Sequence, residues 1–146
     1  MRIICLDLGT KRIGLAVSDP LGFTAQPVDV LLRQDSFEKD FVLLSPYIDK
    51  YKPSKILIGL PISLSGDVNS AAQKALAFTT FLKGKTDIPV ETWDERFTTK
   101  QATSNLHSVG MNAKEMRGVI DKYAAAVILE SYLGRISPLP PGEGQG

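Results

Sequence analysis

Residues 2–19 read RIICLDLGTKRIGLAVSD, two apolar runs separated by a short polar turn. The run Arg2–Leu8 is rich in isoleucine and leucine, as buried strands are, and Ile13–Ser18 is apolar again. Because so few residues separate the two strands, they can pair only as an antiparallel hairpin. The acid Asp7 falls inside the first strand, where an ionised carboxylate is costly unless a positive charge meets it.

The rest of the chain alternates between strand-like and helical segments. Gln26–Arg33 predicts a third meander strand, and the apolar spacing after Ser36 predicts a helix that Pro46 kinks or divides. The other predicted elements are a strand at Lys55–Leu60, a helix from Asn69 or Ser70 to about Lys83, a strand at Ile88–Trp93, a helix from Thr98 or Thr99 to about Ser108, and a helix from Ala113 to about Leu133. This order predicts an α/β fold, a mixed sheet with helices on both faces.

Composition sets broad limits on what the chain does. Its 146 residues fit one domain, predicted at 1–136, followed by a disordered, Pro/Gly-rich tail at 137–146. No stretch has the length of a membrane span, and no targeting signal precedes the first strand, so we expect a cytoplasmic protein. The single cysteine, Cys5, rules out an internal disulfide or a multi-cysteine metal site. A net charge of +1 does not by itself argue for nucleic-acid binding.

Acidic residues on three separate elements form the most informative pattern. Asp7 lies near the end of its strand, and Asp94 and Glu95 follow the strand at Ile88–Trp93, at the sheet edge where open α/β sheets place their sites. Asp121 lies in a helix beside glycine and alanine, which would allow close approach to the sheet. Three such acids form an oxygen cage suited to Mg²⁺ or Mn²⁺.

Each acid also has a plain structural interpretation. Asp7 could accept turn hydrogen bonds, Arg96 could neutralise its acidic neighbours, and Asp121 could pair with Arg117 four residues earlier. Strand alternation lets only one of Asp94 and Glu95 point easily toward Asp7, and the sequence pattern does not say which. The one histidine, His107, is expected at the surface, which disfavours zinc or serine-hydrolase chemistry.

Four motifs together carry a family resemblance. LDLGTKRIGLAVSD, IGLP followed by Gly66, WDERFTT and IDKYAAAVIL occur in this order. The chain resembles the YqgF family, also called RuvX, over Arg2 to about Leu133. These are ribonuclease-H-like proteins described as pre-16S ribosomal RNA nucleases or Holliday-junction resolvases. The resemblance implies a five-stranded mixed sheet, three strands as an antiparallel meander and the rest parallel, flanked by helices.

The resemblance also implies the site and its chemistry. Asp7, Glu95 and Asp121 would be the catalytic metal ligands, with Asp94 as the second choice to Glu95, and two Mg²⁺ or Mn²⁺ ions would support phosphodiester hydrolysis. Candidate phosphate contacts around the cleft are Lys11, Arg12, Arg96, Thr98, Thr99, Lys100, Lys114, Arg117 and Lys122. The expected enzyme is a hydrolase, a nuclease maturing the 5′ end of pre-16S rRNA during ribosome biogenesis.

Other functions stay open from the sequence. A Holliday-junction resolvase would need two sites, hence a two-fold dimer, whereas trimming one RNA end needs one; we therefore expect a monomer or weak homodimer. The partners expected are pre-rRNA, or else branched DNA, with ribosomal particles and no membrane. A non-catalytic RNA- or ribosome-binding factor is the alternative of another class. The Asp-x-Gly-Thr hairpin also resembles the phosphate loop of sugar kinases, which need a second such domain.

Overall fold

A mixed sheet of five strands lies at the centre of the protein. The computed structural model describes residues 2–62, 66, 68–97 and 113–136, with side chains described for all of these except 97, 113–122 and 136. The strands are β1 (Ile3–Leu8), β2 (Arg12–Ser18), β3 (Ala25–Leu32), β4 (Lys55–Leu60) and β5 (Val90–Asp94). The helices are α1 (Phe37–Tyr51), α2 (Ser70–Lys83) and α3 (Ala113–Ile136), and a 3-10 turn covers Glu95–Phe97.

Strand direction brings the C-terminal ends of four strands to one edge of the sheet. The order is β3-β2-β1-β4-β5, with the β1–β2 and β2–β3 pairs antiparallel and the β1–β4 and β4–β5 pairs parallel. The three-strand meander and the parallel extension predicted from the sequence are both confirmed. Because β1, β3, β4 and β5 run the same way, these strands end at the same side of the sheet, which we call the carboxyl edge; their last residues are Leu8, Leu32, Leu60 and Asp94.

Two apolar layers cover the two faces of the sheet. Ile4 and Leu6 of β1 pack in a core with residues of α1 and α2, whereas Ile3 and Cys5 pack with residues of α3. Side chains alternate along a strand, so Asp7 falls on the α3 face together with Cys5. The predicted placement of helices on both faces is confirmed, and it puts the first acid under α3.

The first two helices begin where their capping residues predict. The Ser36 hydroxyl accepts from the amide of Lys39, and the Asn69 side chain accepts from the amide of Ala72. Of the two predictions for Pro46, division of the first helix is wrong, because α1 continues through it to Tyr51, and a kink there stays a prediction. Pro46 is exposed, as is Val42 four residues earlier, so the carbonyl that loses its intrahelical donor there can be hydrated.

Two other boundaries differ from the sequence prediction. β5 begins at Val90 and not at Ile88, because Pro89 has no amide to donate, although its carbonyl accepts from the amide of Ile56. α3 extends to Ile136, past the predicted end at Leu133. The helix predicted from Thr98 or Thr99 to Ser108 and the tail at 137–146 lie outside the described residues. None of the described helices is long and apolar enough to cross a membrane.

Candidate active site

Glu95 lies directly past the end of β5 and reaches back over β4. In the parallel register Gly59 pairs with Trp93, so the turn that follows β5 begins beside the end of β4. A Cβ atom built on Gly59 would lie 3.0 Å from the Oε2 atom of Glu95 and 2.8 Å from the Cδ1 atom of Ile128 in α3. The Glu95 carboxylate is therefore seated over the β4 backbone, on the α3 face where Asp7 also lies, in space that a glycine leaves open.

The surroundings of Glu95 disfavour its ionised form. Its pKa is raised from 4.5 to about 7, chiefly because burial removes water from the carboxylate, then because of the negative charges of Asp7 and Asp94. Burial is also the main reason why the pKa of the neighbouring Cys5 thiol is raised, with Asp7 and Glu95 adding to it. Two acids, one on β1 and one just past the end of β5, thus share one poorly solvated site, an arrangement that a bound cation would stabilise.

Asp94, in contrast, is engaged by Arg96. The Nε atom of Arg96 lies 2.9 Å and its Nη2 atom 2.6 Å from Oδ2 of Asp94, and the Arg96 amide donates to Oδ1 at 2.9 Å. These bonds lower the pKa of Asp94 and raise that of Arg96. Of the two acids between which the sequence did not choose, Glu95 is the one beside Asp7. The neutralising role considered for Arg96 is the one it has toward Asp94.

The β1–β2 hairpin forms a groove beside Asp7. The amide of Gly9 donates to the carbonyl of Arg12 at 2.8 Å, which closes the turn. The groove has a volume of about 180 Å³ and is lined by Asp7, Gly9, Thr10, Lys11, Arg12 and Gly14. Lys11 and Arg12 are exposed, so two cationic side chains flank a pocket that also contains the first predicted metal ligand.

Several predicted site residues lie outside the described side chains. Asp121 is in the backbone of α3, but its side chain is not described, and the same holds for Lys114, Arg117 and Lys122. Thr98, Thr99, Lys100 and His107 lie outside the described residues altogether. Among the side chains that are described, no three His, Cys, Asp or Glu residues come together as a metal-binding group. The described part of the site is therefore the Asp7–Glu95 pair and the hairpin groove.

Comparison with known proteins identifies the family. A family model for RuvX, described as Holliday junction resolvase, matches residues 1–135. A protein of Desulforamulus reducens named "Putative pre-16S rRNA nuclease" is 47% identical over 133 residues, which cover 91% of this chain and 96% of that protein. A protein of Halothermothrix orenii with the same name is 42% identical, covering 91% of this chain and 94% of that protein.

The chain belongs to the RuvX family. The resemblance seen in the four sequence motifs is thereby confirmed. The family description and the names of the relatives both denote nucleases, so the prediction of a hydrolase acting on phosphodiester bonds is confirmed at the level of the family.

Solved structures share the fold of this RuvX-family chain. RuvC of Thermus thermophilus in complex with a Holliday junction substrate superposes with a TM-score of 0.58 at 16% identity, covering 94% of this chain and 96% of that chain. The fowlpox virus resolvase, solved with Holliday junction DNA, gives a TM-score of 0.51 at 14% identity, covering 94% and 99%. The predicted ribonuclease-H-like fold is confirmed by these likenesses, which at such identities concern the fold alone.

Sequence reasoning missed two residues near the hairpin of this RuvX-family chain, Arg33 and Asp40. Asp40 is only 1% exposed, and its carboxylate forms an ion pair with Arg33 at 3.1 Å. A signal was available, because Asp40 lies three residues after Phe37 and four before Leu44, on the apolar stripe of α1. An acid on a buried stripe needs a partner, and here the partner also contacts the β1–β2 turn.

Proposed function

We propose that this RuvX-family chain is a divalent-metal-dependent endonuclease that matures the 5′ end of pre-16S rRNA during ribosome biogenesis in the cytoplasm. The observation that carries the proposal is the pairing of Asp7 and Glu95 at the carboxyl edge. Burial together with the charge of Asp7 raises the pKa of Glu95 to about 7. A cation bound between the two acids would neutralise both charges and so offset the cost of removing their water and holding them close together.

The donor set fits Mg²⁺ or Mn²⁺. Both candidate ligands supply carboxylate oxygens, which these hard cations prefer, and the nearby thiol of Cys5 is fully buried with a raised pKa, so it stays protonated. Glu95 is the acid assigned to the metal, and Asp94 is left to Arg96. Two ions, when bound, supply a water of lowered pKa for attack on phosphorus and stabilise the leaving oxygen.

Asp121 is proposed as the third ligand because of its place in α3. It precedes Ala125 by four residues and Ile128 by seven, which is one stripe of an α-helix, and both of those residues are buried against the sheet. α3 runs from the carboxyl edge inward, since Ile128 contacts the Gly59 region whereas Tyr132 hydrogen-bonds Lys55 at the start of β4. Residues two turns before Ile128 therefore lie toward the edge that contains Asp7 and Glu95.

The protein's own side chains would bind and orient the nucleic-acid backbone. Lys11 and Arg12 flank the groove next to Asp7, where a phosphate placed near the acids would meet both cations. Arg96 is held by Asp94, so it is proposed to contribute less as a phosphate contact. An RNA end needs one such site, so a monomer suffices for the proposed reaction.

The test compares two neighbouring acids. Wild type, Glu95→Gln, Asp7→Asn and the matched control Asp94→Asn are incubated with a 5′-extended pre-16S RNA and with a four-way DNA junction, in Mn²⁺, Mg²⁺ or EDTA. We expect RNA cutting that EDTA abolishes. Glu95→Gln and Asp7→Asn should lose more than about 100-fold, because groups that only orient metal ligands already contribute roughly 10–100-fold. Asp94→Asn should lose less than about tenfold, because Asp94 binds Arg96 and is assigned neither a metal ion nor a metal ligand to orient.

Other outcomes would redirect the proposal. Cutting of the junction alone would make the chain a resolvase, the second candidate, which the family description favours. Binding of the RNA without cutting of either substrate would leave a non-catalytic RNA- or ribosome-binding factor. A larger loss in Asp94→Asn than in Glu95→Gln would contradict the assignment of Glu95 as ligand.

A further inference from the structure

Arg33 connects the β1–β2 hairpin to the interior of the protein. Its amide donates to the carbonyl of Lys11 at 2.8 Å, and its Nη1 atom donates to the carbonyl of Gly9 at 3.2 Å. Arg33 thus hydrogen-bonds two carbonyl groups of the turn that lines the groove. Arg33 lies just past the end of β3, at the carboxyl edge, and its side chain is only 14% exposed.

The other side of the Arg33 guanidinium is fixed by a buried acid and two rings. Its Nε and Nη2 atoms lie 3.3 Å and 3.1 Å from Oδ2 of Asp40, and the other oxygen of Asp40 accepts from the amide of Gln34 at 2.7 Å. The guanidinium carbon is 6.0 Å from the ring centre of Phe37 and 5.9 Å from that of Phe78. Phe78 is fully buried, so this anchor is part of the core between α1 and α2.

This anchor acts on the part of the chain that faces the substrate in the proposed reaction. The carbonyls of Gly9 and Lys11 are drawn toward Arg33, whereas the side chains of Thr10, Lys11 and Arg12 remain exposed around the groove. Carbonyl oxygens turned toward a phosphate would repel it, and cations on an unfixed turn would have to be ordered when substrate binds. The backbone amide of Arg33 binds the Lys11 carbonyl, and its guanidinium binds the Gly9 carbonyl and Asp40 at the same time. A lysine lacks the several donors of a guanidinium and cannot make the second set of contacts.

We propose that Arg33, held by Asp40, is a positioning residue that fixes the Gly9–Arg12 turn so that Lys11 and Arg12 can bind the substrate's phosphates; this role rests on the proposed function. Arg33 does not itself touch the reacting atoms. The consequence is that substrate binding depends on a residue of the α1–α2 core, and that Arg33 and the hairpin cations act as one unit.

The decisive variant is Arg33→Lys, which keeps the positive charge beside Asp40 but lacks the guanidinium nitrogen that hydrogen-bonds the Gly9 carbonyl. With the 5′-extended pre-16S RNA we expect KM to rise about tenfold while kcat changes less than about threefold, an effect within the usual range for coupled neighbours. In a Lys11→Ala/Arg12→Ala background the same change should raise KM by less than about twofold, because the cations it positions are gone. The matched control is Arg2→Lys, an arginine stacked 5.4 Å from the ring of Tyr51 at the opposite edge, which should leave both constants as they are.

Two measurements without catalysis separate this inference from the proposed function. Hydrogen exchange of the Gly9 and Arg33 amides should accelerate about tenfold in Arg33→Lys relative to the β1 core, since both amides close the turn. RNA binding in EDTA should show the same non-additivity as KM. If wild type cuts nothing but binds RNA with this coupling, the proposed function fails and the positioning role stands.

Additive effects of Arg33→Lys and the hairpin variants, unchanged exchange at the turn, or no nucleic-acid binding by wild type would each overturn the positioning role. If thermal unfolding shows that Arg33→Lys does not fold, Asp40→Asn replaces it, since it keeps the arginine and removes the charge that orients it. The same non-additivity with Lys11→Ala/Arg12→Ala is then expected, and additivity would overturn the role.

Discussion

At the scale of single residues, the two adjacent acids Asp94 and Glu95 show what a local pattern cannot decide. The sequence indicates that one of them lies near Asp7, because strand alternation admits one. Which one depends on where β5 ends and on the partner that Arg96 takes, and both are tertiary facts. β5 ends at Asp94, whose carboxylate hydrogen-bonds Arg96 two residues further on. The turn that starts at Glu95 places the Glu95 carboxylate over β4.

The raised pKa of Glu95 predicts a pH dependence of stability for the metal-free protein. Below pH 4.5 this carboxyl is protonated in folded and unfolded states alike, so the protonated Glu95 makes its full contribution to the free energy of unfolding. Between pH 4.5 and about 7 the unfolded chain releases the proton first, and the free energy of unfolding falls by up to about 1.4 kcal/mol per pH unit. Urea unfolding in EDTA at several pH values measures this fall in the free energy of unfolding. Glu95→Gln should lack the fall between pH 4.5 and about 7.

A divalent metal ion should reverse the fall in unfolding free energy that accompanies ionisation of Glu95. Mg²⁺ or Mn²⁺ binds the ionised pair, so adding either ion above pH 7 should raise the unfolding free energy of wild type and have little effect on Glu95→Gln. Identical pH slopes of the unfolding free energy for wild type and Glu95→Gln would show that the Glu95 carboxyl is not buried beside Asp7.

At the scale of elements, the helices and strands were mostly predictable from local chemistry. Apolar runs buried on both faces gave β1 and β4, and the capping residues Ser36 and Asn69 gave the starts of α1 and α2. The errors have physical reasons: an exposed proline tolerated within α1, and Pro89 delaying β5. The glycine and alanine beside Asp121 predict a close approach of α3 to the sheet, but not that it occurs at Gly59, because Gly59 and Ile128 are far apart in sequence.

Gly59→Ala tests how β4, α3 and the turn after β5 pack at the site. The added Cβ would lie 2.8 Å from Ile128 Cδ1 and 3.0 Å from Glu95 Oε2, so side-chain ends must move. Overpacking of this kind typically costs about 1–3 kcal/mol, and the value should fall at the low end because both neighbours can rotate. Cleavage should fall more than tenfold, since moving a reacting group by about 1 Å can cost about 100-fold.

Gly134→Ala is the matched control for that substitution. Gly134 lies in α3 with nothing within 4 Å of an added Cβ, so alanine should stabilise the helix by up to about 1 kcal/mol and leave cleavage unchanged. Thermal unfolding and the RNA cleavage assay measure both variants. Wild-type cleavage by Gly59→Ala would mean that the Glu95 carboxylate need not sit over β4.

At the scale of the whole molecule, the order of motifs predicts the fold and the edge at which the site forms. A hairpin, a parallel strand pair and a closing helix bring Asp7, Glu95 and the path of α3 to one carboxyl edge, although they are distant along the chain. The motifs do not predict the buried ion pair that holds the β1–β2 turn in place. The apolar stripe of α1 indicates that Asp40 needs a cationic partner, but that this partner is Arg33 depends on how α1, β3 and the hairpin pack together.

In the proposed site Asp7 and Glu95, and not Asp94, hold the metal. Calorimetric titration of Mn²⁺ into wild type, Glu95→Gln and Asp94→Asn tests it without a substrate. We expect Mn²⁺ binding by wild type, at least about tenfold weaker binding by Glu95→Gln, and less than about threefold weakening by Asp94→Asn. Equal affinity of wild type and Glu95→Gln, or a greater loss in Asp94→Asn, would contradict it.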